Sequence, residues 1–342
     1  MRPDFRMFGP GLDPMETLCV DGRAFGLRCL SHWPGPPVPS ALAHDLTTGM
    51  ALRWARASEV DRESWLGSFR VLTNDHYDTD GALAMFSILD PPTALAHEDL
   101  LLRAAALGDF RTWQGEDALA VDLTLWAALG SPDSPLRARL GTTADYSTRA
   151  ELGYRWMFEQ LPSLLQQPFR WSALWRPRFD RILAERGRLG AGGIRVERHD
   201  ACDLAVVYID EPTTRHTIIA AAGDLHRVLI VHVSDAGCRY RFTYRNESWF
   251  LGIRDRTAPR RPLEHAMRAL AQLEEGRQGE WWCTSIDRTS PQLGFGPRAH
   301  EADVFGDFRV DLDPVSRLPA DVVVATLLAT LTEDYAPGGN TQ

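Results

Sequence analysis

The chain has 342 residues, a formal net charge of −9, and 44% apolar and 24% charged residues. This composition fits a globular protein with a real core, long enough for two ordinary domains or one large one, and the acidic balance argues against a general nucleic-acid coating role, which wants a basic surface. All 37 basic residues are arginine, which excludes a Schiff-base lysine, a P-loop lysine and a lysine general base, and leaves arginine as the fixed cation for phosphate or carboxylate groups.

No window approaches the roughly 18 apolar residues of a membrane span. The first residues, MRPDFRMFGPGLDPMETL, lack the apolar core of a signal peptide. A soluble, cytoplasmic protein without a membrane partner is expected. The five cysteines, Cys19, Cys29, Cys202, Cys238 and Cys283, are scattered and form no C-x-x-C pair. That argues against a zinc ribbon or a disulfide framework, and they read as ordinary buried thiols.

In chain order, Cys19-Val20 and Leu27–Leu30 look like strand pieces, and the loop His32-Trp33-Pro34-Gly35-Pro36-Pro37 is rigid and turn-rich. Leu46–Ala55 predicts a short helix. Phe69–Thr73 predicts a strand running into Asn74-Asp75-His76-Tyr77-Asp78-Thr79-Asp80-Gly81, and Gly81–Leu89 predicts a buried helix stopped by Pro91-Pro92. Further helices are expected over Glu98–Leu107, with a left-handed cap at Gly108, over Asp117–Leu129, from a Thr148/Glu151 capping box to Leu161, and over Phe179–Arg186. Gly187–Gly193 follows a helix and precedes a strand, the wrong order for a dinucleotide-binding glycine loop, so it reads as a linker.

Beyond it, Ile194–Glu197, Leu204–Ile209, Thr217–Ala221, Val228–Val233 and Arg239–Arg245 predict closely spaced strands. The last alternates Arg239, Arg241, Thr243 and Arg245 with Tyr240, Phe242 and Tyr244. Helices follow over about Pro262–Leu273 and Pro319–Leu331. The expected fold is α/β: an N-terminal Rossmann-like domain with a mostly parallel sheet over 1–187, a linker over 188–193, and a smaller α+β domain over 194–342.

The stretch NDHYDTDG gathers three carboxylates and a histidine in six residues. Like charges so close need an offsetting cation. In an extended segment His76, Asp78 and Asp80 share a face, about 7 Å apart at each step. That is too wide for one ion. It suits two ions roughly 3.5–4 Å apart with one aspartate between them, with Gly81 permitting a sharp turn into the helix. Imidazole with carboxylates favours Mn²⁺ over Mg²⁺. An EF-hand is rejected because His76 and Ser87 would fall where Asp and Glu are required. A haloacid-dehalogenase-type phosphatase is a weaker alternative: its Asp-x-Asp-Gly normally follows the strand directly, and its lysine is missing. An Asp-Gly alone is ordinary turn chemistry.

His76-Tyr77-Asp78-Thr79-Asp80-Gly81 resembles the first motif of the DHH (Asp-His-His) phosphoesterase superfamily over residues 69–89. That superfamily includes single-strand exonucleases, oligonucleotide and cyclic-dinucleotide phosphodiesterases and manganese pyrophosphatases. The resemblance implies a two-domain protein with a Mn²⁺ pair, His76, Asp78 and Asp80 being metal ligands and catalytic residues. The Asp-His-His string itself is absent, so further ligands must come from elsewhere. The candidates, in order, are Asp109, Asp45, His32 and His44, with Asp122 weaker inside a helix. The superfamily's Gly-Gly-His signature is only loosely echoed at Arg215-His216 and Ala220–Gly223, which adds His216 to the substrate-binding candidates.

Arg254, Arg256, Arg260 and Arg261 follow Trp249-Phe250, and Arg241 lies on the alternating strand. Arginine forks grip phosphate oxygens, and an aromatic stacks on a base. The competing reading is a solvated face paired with Asp255 and Glu247. The expected function is a divalent-metal phosphoesterase acting on a small phosphorylated or nucleotide-like substrate. The alternative is a degenerate relative that binds nucleotide or metal without turnover.

Overall fold

The computed structural model describes residues 2–141, 145–250, 252, 258–274, 280–298 and 307–332. The chain packs as two units, one of residues 1–181 with 250–255, the other of residues 182–249 with 256–342. The protein is α/β, with one sheet entirely parallel and the other mixed. No described helix is long and apolar enough to cross a membrane.

In the first unit, β1 (Asp4–Phe5), β2 (Thr17–Val20), β3 (Arg28–Leu30) and β4 (Val71–Thr73) form a parallel sheet in the order β1-β4-β2-β3. Cys19 on β2 is in register with Thr73 of β4 on one side and Cys29 of β3 on the other. Parallel strands are covered on both faces and read as continuous apolar runs, and β2 is buried at every residue. The helices are α1 (Thr47–Arg56), α2 (Glu59–Leu66), α3 (Thr79–Leu89), α4 (Pro91–Ala96), α5 (Glu98–Phe110), α6 (Glu116–Gly130), α7 (Arg137–Leu140) and α8 (Tyr146–Leu164). All 11 residues of α3 are buried, as its uniform apolarity predicts.

Several helix ends differ from expectation for identifiable reasons. α5 continues past Leu107 to Phe110, and the left-handed residue after it is Arg111 (φ 58°), not Gly108. Gly108 lies inside the helix, where a Cβ would stand 2.5 Å from the Thr79 Cβ. It lets α5 press against the start of α3. α8 is capped by Asp145, whose carboxylate accepts from the Thr148 N–H (3.0 Å) and hydroxyl (2.8 Å). Glu151 is drawn elsewhere, to Arg155 and the Met7 N–H. α9 (Arg176–Gly190) is longer than predicted and makes the first part of the glycine-rich stretch helical.

In the second unit, β5 (Arg195–His199), β6 (Leu204–Ile209), β7 (Arg227–Ser234), β8 (Gly237–Tyr244), β9 (Trp281–Cys283) and β10 (Gln292–Phe295) form a sheet in the order β5-β6-β7-β8-β10-β9. The predicted strand at Thr217–Ala221 is instead in the helix α10 (Arg215–Ala222). The reason is topological: β6 and β7 are parallel, so the chain must cross back between them, and a helix does this. Tyr240, Phe242 and Tyr244 of β8 enter a core with Leu229, Val231 and Leu293 and with residues of α11 (Glu264–Leu273) and α12 (Ala320–Thr332).

Gly108→Ala is expected to destabilise the protein by roughly 1–3 kcal/mol, because overpacking forces α5 off α3. Gly130→Ala, where a Cβ meets nothing within 4 Å, is expected to be neutral or slightly stabilising. Chemical denaturation of both variants checks this. Equal stabilities would show that α5 and α3 are not in tight contact.

Candidate metal centre

Parallel sheets present their binding sites beyond the carboxyl ends of the strands. Here three adjacent strands end in chemistry. β2 leads into Asp21, β3 into Ser31-His32, and β4 into Asn74–Asp78. Asp21 has a left-handed backbone (φ 59°), which a short polar side chain tolerates. A Cβ at the neighbouring Gly22 would stand 2.7 Å from Asp75 Oδ1, so glycine allows the β2 and β4 ends to meet.

The loop after β4 is fixed from behind. The Tyr154 hydroxyl, on α8, donates to the His76 carbonyl (2.8 Å) and accepts from the Asp78 N–H (3.1 Å) and the Asn74 side-chain amide (3.2 Å). Asp78 is the N-cap of α3, its Oδ1 accepting from the Gly81 N–H at 2.9 Å. The chain is therefore not extended through Asp80, as the sequence reading assumed. Asp80 lies in the first turn of α3 and reaches the site from the helix. Gly81 is needed for room, because a Cβ there would lie 2.4 Å from Asn74 Nδ2 and 2.9 Å from the Tyr154 hydroxyl.

Asp80 is fully buried, and its two oxygens accept from the Thr47 N–H (2.7 Å) and Thr48 N–H (2.9 Å). These are unsatisfied donors at the N-terminus of α1, a position that stabilises an anion. The Thr47 hydroxyl donates to Asp21 Oδ1 at 2.6 Å.

His32 and His76 face these carboxylates with one ring nitrogen each. His32 Nδ1 lies 2.6 Å from the Asp45 carbonyl, which only accepts, so Nδ1 carries the hydrogen. Among the described residues its buried Nε2 has no hydrogen-bond partner, and it stands 3.4 Å from Asp109, 3.5 Å from Asp21 and 3.8 Å from Asp80. Burial pushes His32 below the ordinary histidine range, with Asp80 opposing. The ring thus aims its second nitrogen at the oxygens of three carboxyl groups, a donor set that suits a cation. His76 Nδ1 meets Asp75 at 2.8 Å, and its Nε2 meets Asp78 at 3.0 Å and Asp21 at 3.7 Å. The Asp75–His76 pair is the carboxylate–imidazole arrangement that orients metal-binding histidines.

Among the described residues, two groups have ligand atoms all within 4.8 Å of one another: Asp21, His32 and Asp80, and Asp21, His76 and Asp78. These buried groups are positioned to bind a metal ion, and their donors, imidazole nitrogen and carboxylate oxygen, suit a divalent cation. Asp109 stands beside the first group. Asp21, absent from the sequence-based candidates, is common to both. Its signal was present, an Asp-Gly directly after the strand piece Cys19-Val20.

The other candidates are placed as follows. Asp45 serves His32 through its carbonyl. His44 Nδ1 accepts from the Leu46 N–H. Asp122 pairs with Arg111 (3.3 Å) and accepts from the Thr79 hydroxyl (2.5 Å), bracing α3 from below. In the second unit, His216 is buried on α10. Arg241 is buried and pairs with Asp313 at 2.6 Å. Arg260 spends its donors on the Ser248 hydroxyl and the carbonyls of Ile286, Arg288 and Thr289. Burial brings it down to about 10. Arg254 and Arg256 lie outside the described residues.

The chain belongs to the DUF6687 family. The family's model, described as one of unknown function, matches residues 1–340 and so reaches into both units. No curated protein and no solved structure matches the chain, and the family match carries no link to the Asp-His-His phosphoesterases.

The metal-free site is electrostatically strained in a definite direction. Burial, then Asp78 and Asp80, hold Asp21 well above the ordinary carboxyl range. Burial, then Asp80 and Asp78, do the same to Asp109. Burial lowers His76, but Asp78, Asp75 and Asp21 together raise it well above its ordinary 6.5. Groups raised on folding contribute stability that is complete below their ordinary values and lost as pH rises through the folded ones. Asp78 is held low, burial being outweighed by His76 and the Gly81 N–H. It and His32 act with the opposite sign, losing stability as pH falls.

Above about pH 6.5, then, chelator-treated protein is expected to lose thermal stability as pH rises. Mn²⁺ replaces the protons and restores it, by about 2.7 kcal/mol at a hundred times Kd. Asp21→Asn removes one like charge, each unit of raised pKa being about 1.4 kcal/mol. It is expected to be more stable than the parent without metal, with no gain from Mn²⁺. Melting curves of both proteins, with and without Mn²⁺, test this. A metal response retained in Asp21→Asn would rule out Asp21 as a ligand.

Proposed function

We propose that the protein is a divalent-metal-dependent phosphoesterase acting on a small phosphodiester or nucleotide-like substrate. The observation that carries this reading is the position of Asp21 in both ligand groups, which is what a bridged pair of ions requires. Asp21, His32 and Asp80, with Asp109 beside them, would hold one ion, and Asp21, His76 and Asp78 would hold the other. Manganese is the first choice and magnesium the second, because two imidazoles enter the set. The position of the site after a parallel strand and before a buried helix is the one the Asp-His-His resemblance implies, and the two-domain organisation of that superfamily is part of this proposal.

Bound divalent ions supply Lewis acidity and an activated water near neutral pH. The residues of the chain do the rest. Asp75 fixes the His76 ring so that Nε2 points at Asp21 and Asp78. The Asp45 carbonyl does the same for His32, and the α1 N-terminus holds Asp80 in one orientation. Side-chain exposure is 19% for His76 and 1% for His32. Substrate therefore approaches over His76, and the His32 group forms the dry floor, where charge interactions are strongest.

Protein purified without chelator is expected to hydrolyse a chromogenic phosphodiester with Mn²⁺. Asp21→Asn is expected to lower turnover a hundredfold or more, and Asp75→Asn by about tenfold to a hundredfold, as lost orientation of a ligand does. Tight Mn²⁺ binding without multiple turnover on any phosphoester would favour the non-catalytic binding protein instead. Full activity in Asp21→Asn would end the phosphoesterase proposal.

A further inference from the structure

Cys19 and Cys29 are register partners on the adjacent parallel strands β2 and β3. Their side chains leave the sheet on the same face, from strands about 5 Å apart, a spacing a disulfide can bridge. The Cys29 thiol donates to the Ala24 carbonyl (3.9 Å) and the Leu27 carbonyl (3.6 Å), beside Cys19. They differ in access. Cys19 is fully buried, whereas Cys29 is half-buried and lines a cavity of about 460 Å³ with Arg23, Phe25, Pro36 and Trp65.

The neighbouring Cys19 side chain brings the Cys29 thiol down to about 7 against the opposing effect of burial, with the Ala24 backbone and Arg23 contributing less. A thiol of that kind, reachable from a cavity and backed by a second thiol, has the make-up of a peroxide-reactive cysteine with its resolving partner.

We propose that Cys19 and Cys29 are a reversible thiol–disulfide pair, oxidised by hydroperoxides and reduced by dithiols, which crosslinks β2 to β3 just ahead of Asp21 and His32. The Cys29 thiolate attacks a peroxide oxygen, the O–O bond breaks, and the departing oxygen takes up a proton. With hydrogen peroxide the products are water and a Cys29 sulfenic acid. The Cys19 sulfur then attacks the Cys29 sulfur. The S–S bond forms, the S–O bond breaks, and the hydroxyl leaves with the Cys19 proton as a second water. Two electrons pass from the two thiols to the peroxide.

Cys19 is two residues before Asp21 and Cys29 three before His32. Linking the two strands shifts the backbone that carries both side chains, so the crosslinked form binds divalent metal more weakly. This second step rests on the metal-centre reading, whereas the thiol chemistry does not.

The test uses the full chain stripped of metal. Hydrogen peroxide is expected to lower the free-thiol count from the five cysteines to three, a non-reducing digest to yield a peptide crosslinked at Cys19 and Cys29, and dithiothreitol to restore all five. In Cys19→Ser, Cys29 is expected to stop at a dimedone-trapped sulfenic acid; in Cys29→Ser, buried Cys19 is expected to stay reduced. Five surviving thiols, or crosslinks to Cys202, Cys238 or Cys283, would overturn the pair. Titration with Mn²⁺ is expected to give affinity about tenfold weaker or worse for the crosslinked protein. Equal affinity would overturn the coupling alone, and no binding to the reduced form would overturn the metal reading while the thiol result stood.

Discussion

Four buried carboxylates, Asp21, Asp78, Asp80 and Asp109, converge with His32 and His76 beyond the carboxyl ends of a small parallel sheet. At an effective dielectric of 20, two like unit charges 4 Å apart repel by about 4 kcal/mol, so no fold gathers such a set without offsetting it. The surroundings of three of them show how. Asp80 rests on the amide donors of α1, Asp78 caps α3 and meets His76, and Asp21 takes the Thr47 hydroxyl. These partners hold the carboxylates in place and leave oxygen lone pairs directed at the centre. His32 Nε2, buried and without a hydrogen-bond partner among the described residues, completes a lining that wants a positive charge.

Holding the loop after β4 in place requires close approach, and glycine allows it at two points there. Gly22 brings the end of β2 against the loop after β4, and Gly81 leaves room for the Tyr154 hydroxyl under the same loop. Tyr154, three bonds deep in that loop, couples the geometry of His76 and Asp78 to the long helix α8. The buried Arg111–Asp122 pair, with Thr79 bonded to Asp122, supports the start of α3. The arginines of the second unit have a different task. Arg241 and Arg260 are tied to Asp313 and to backbone carbonyls, which satisfies buried polar groups and fixes loops.

The sequence by itself determined the local chemistry. The run His76-x-Asp78-x-Asp80-Gly81 between an apolar strand and an apolar helix marked where the acids concentrate, because such a run is locally unfavourable and its flanking periodicity is strong. Uniform burial of α3, the span of β6 and the alternation of β8 were legible for the same reason: each depends on neighbours within one element. What only the tertiary structure decided was which distant residues join that run. Asp21 and His32 enter because β2, β3 and β4 lie side by side in parallel, and Asp109 because Gly108 lets α5 reach α3. The helical Thr217–Ala221 was likewise settled by the parallel pairing of β6 with β7. Strand order and helix packing are set by burial summed over the whole chain, and a single window of sequence does not contain that sum.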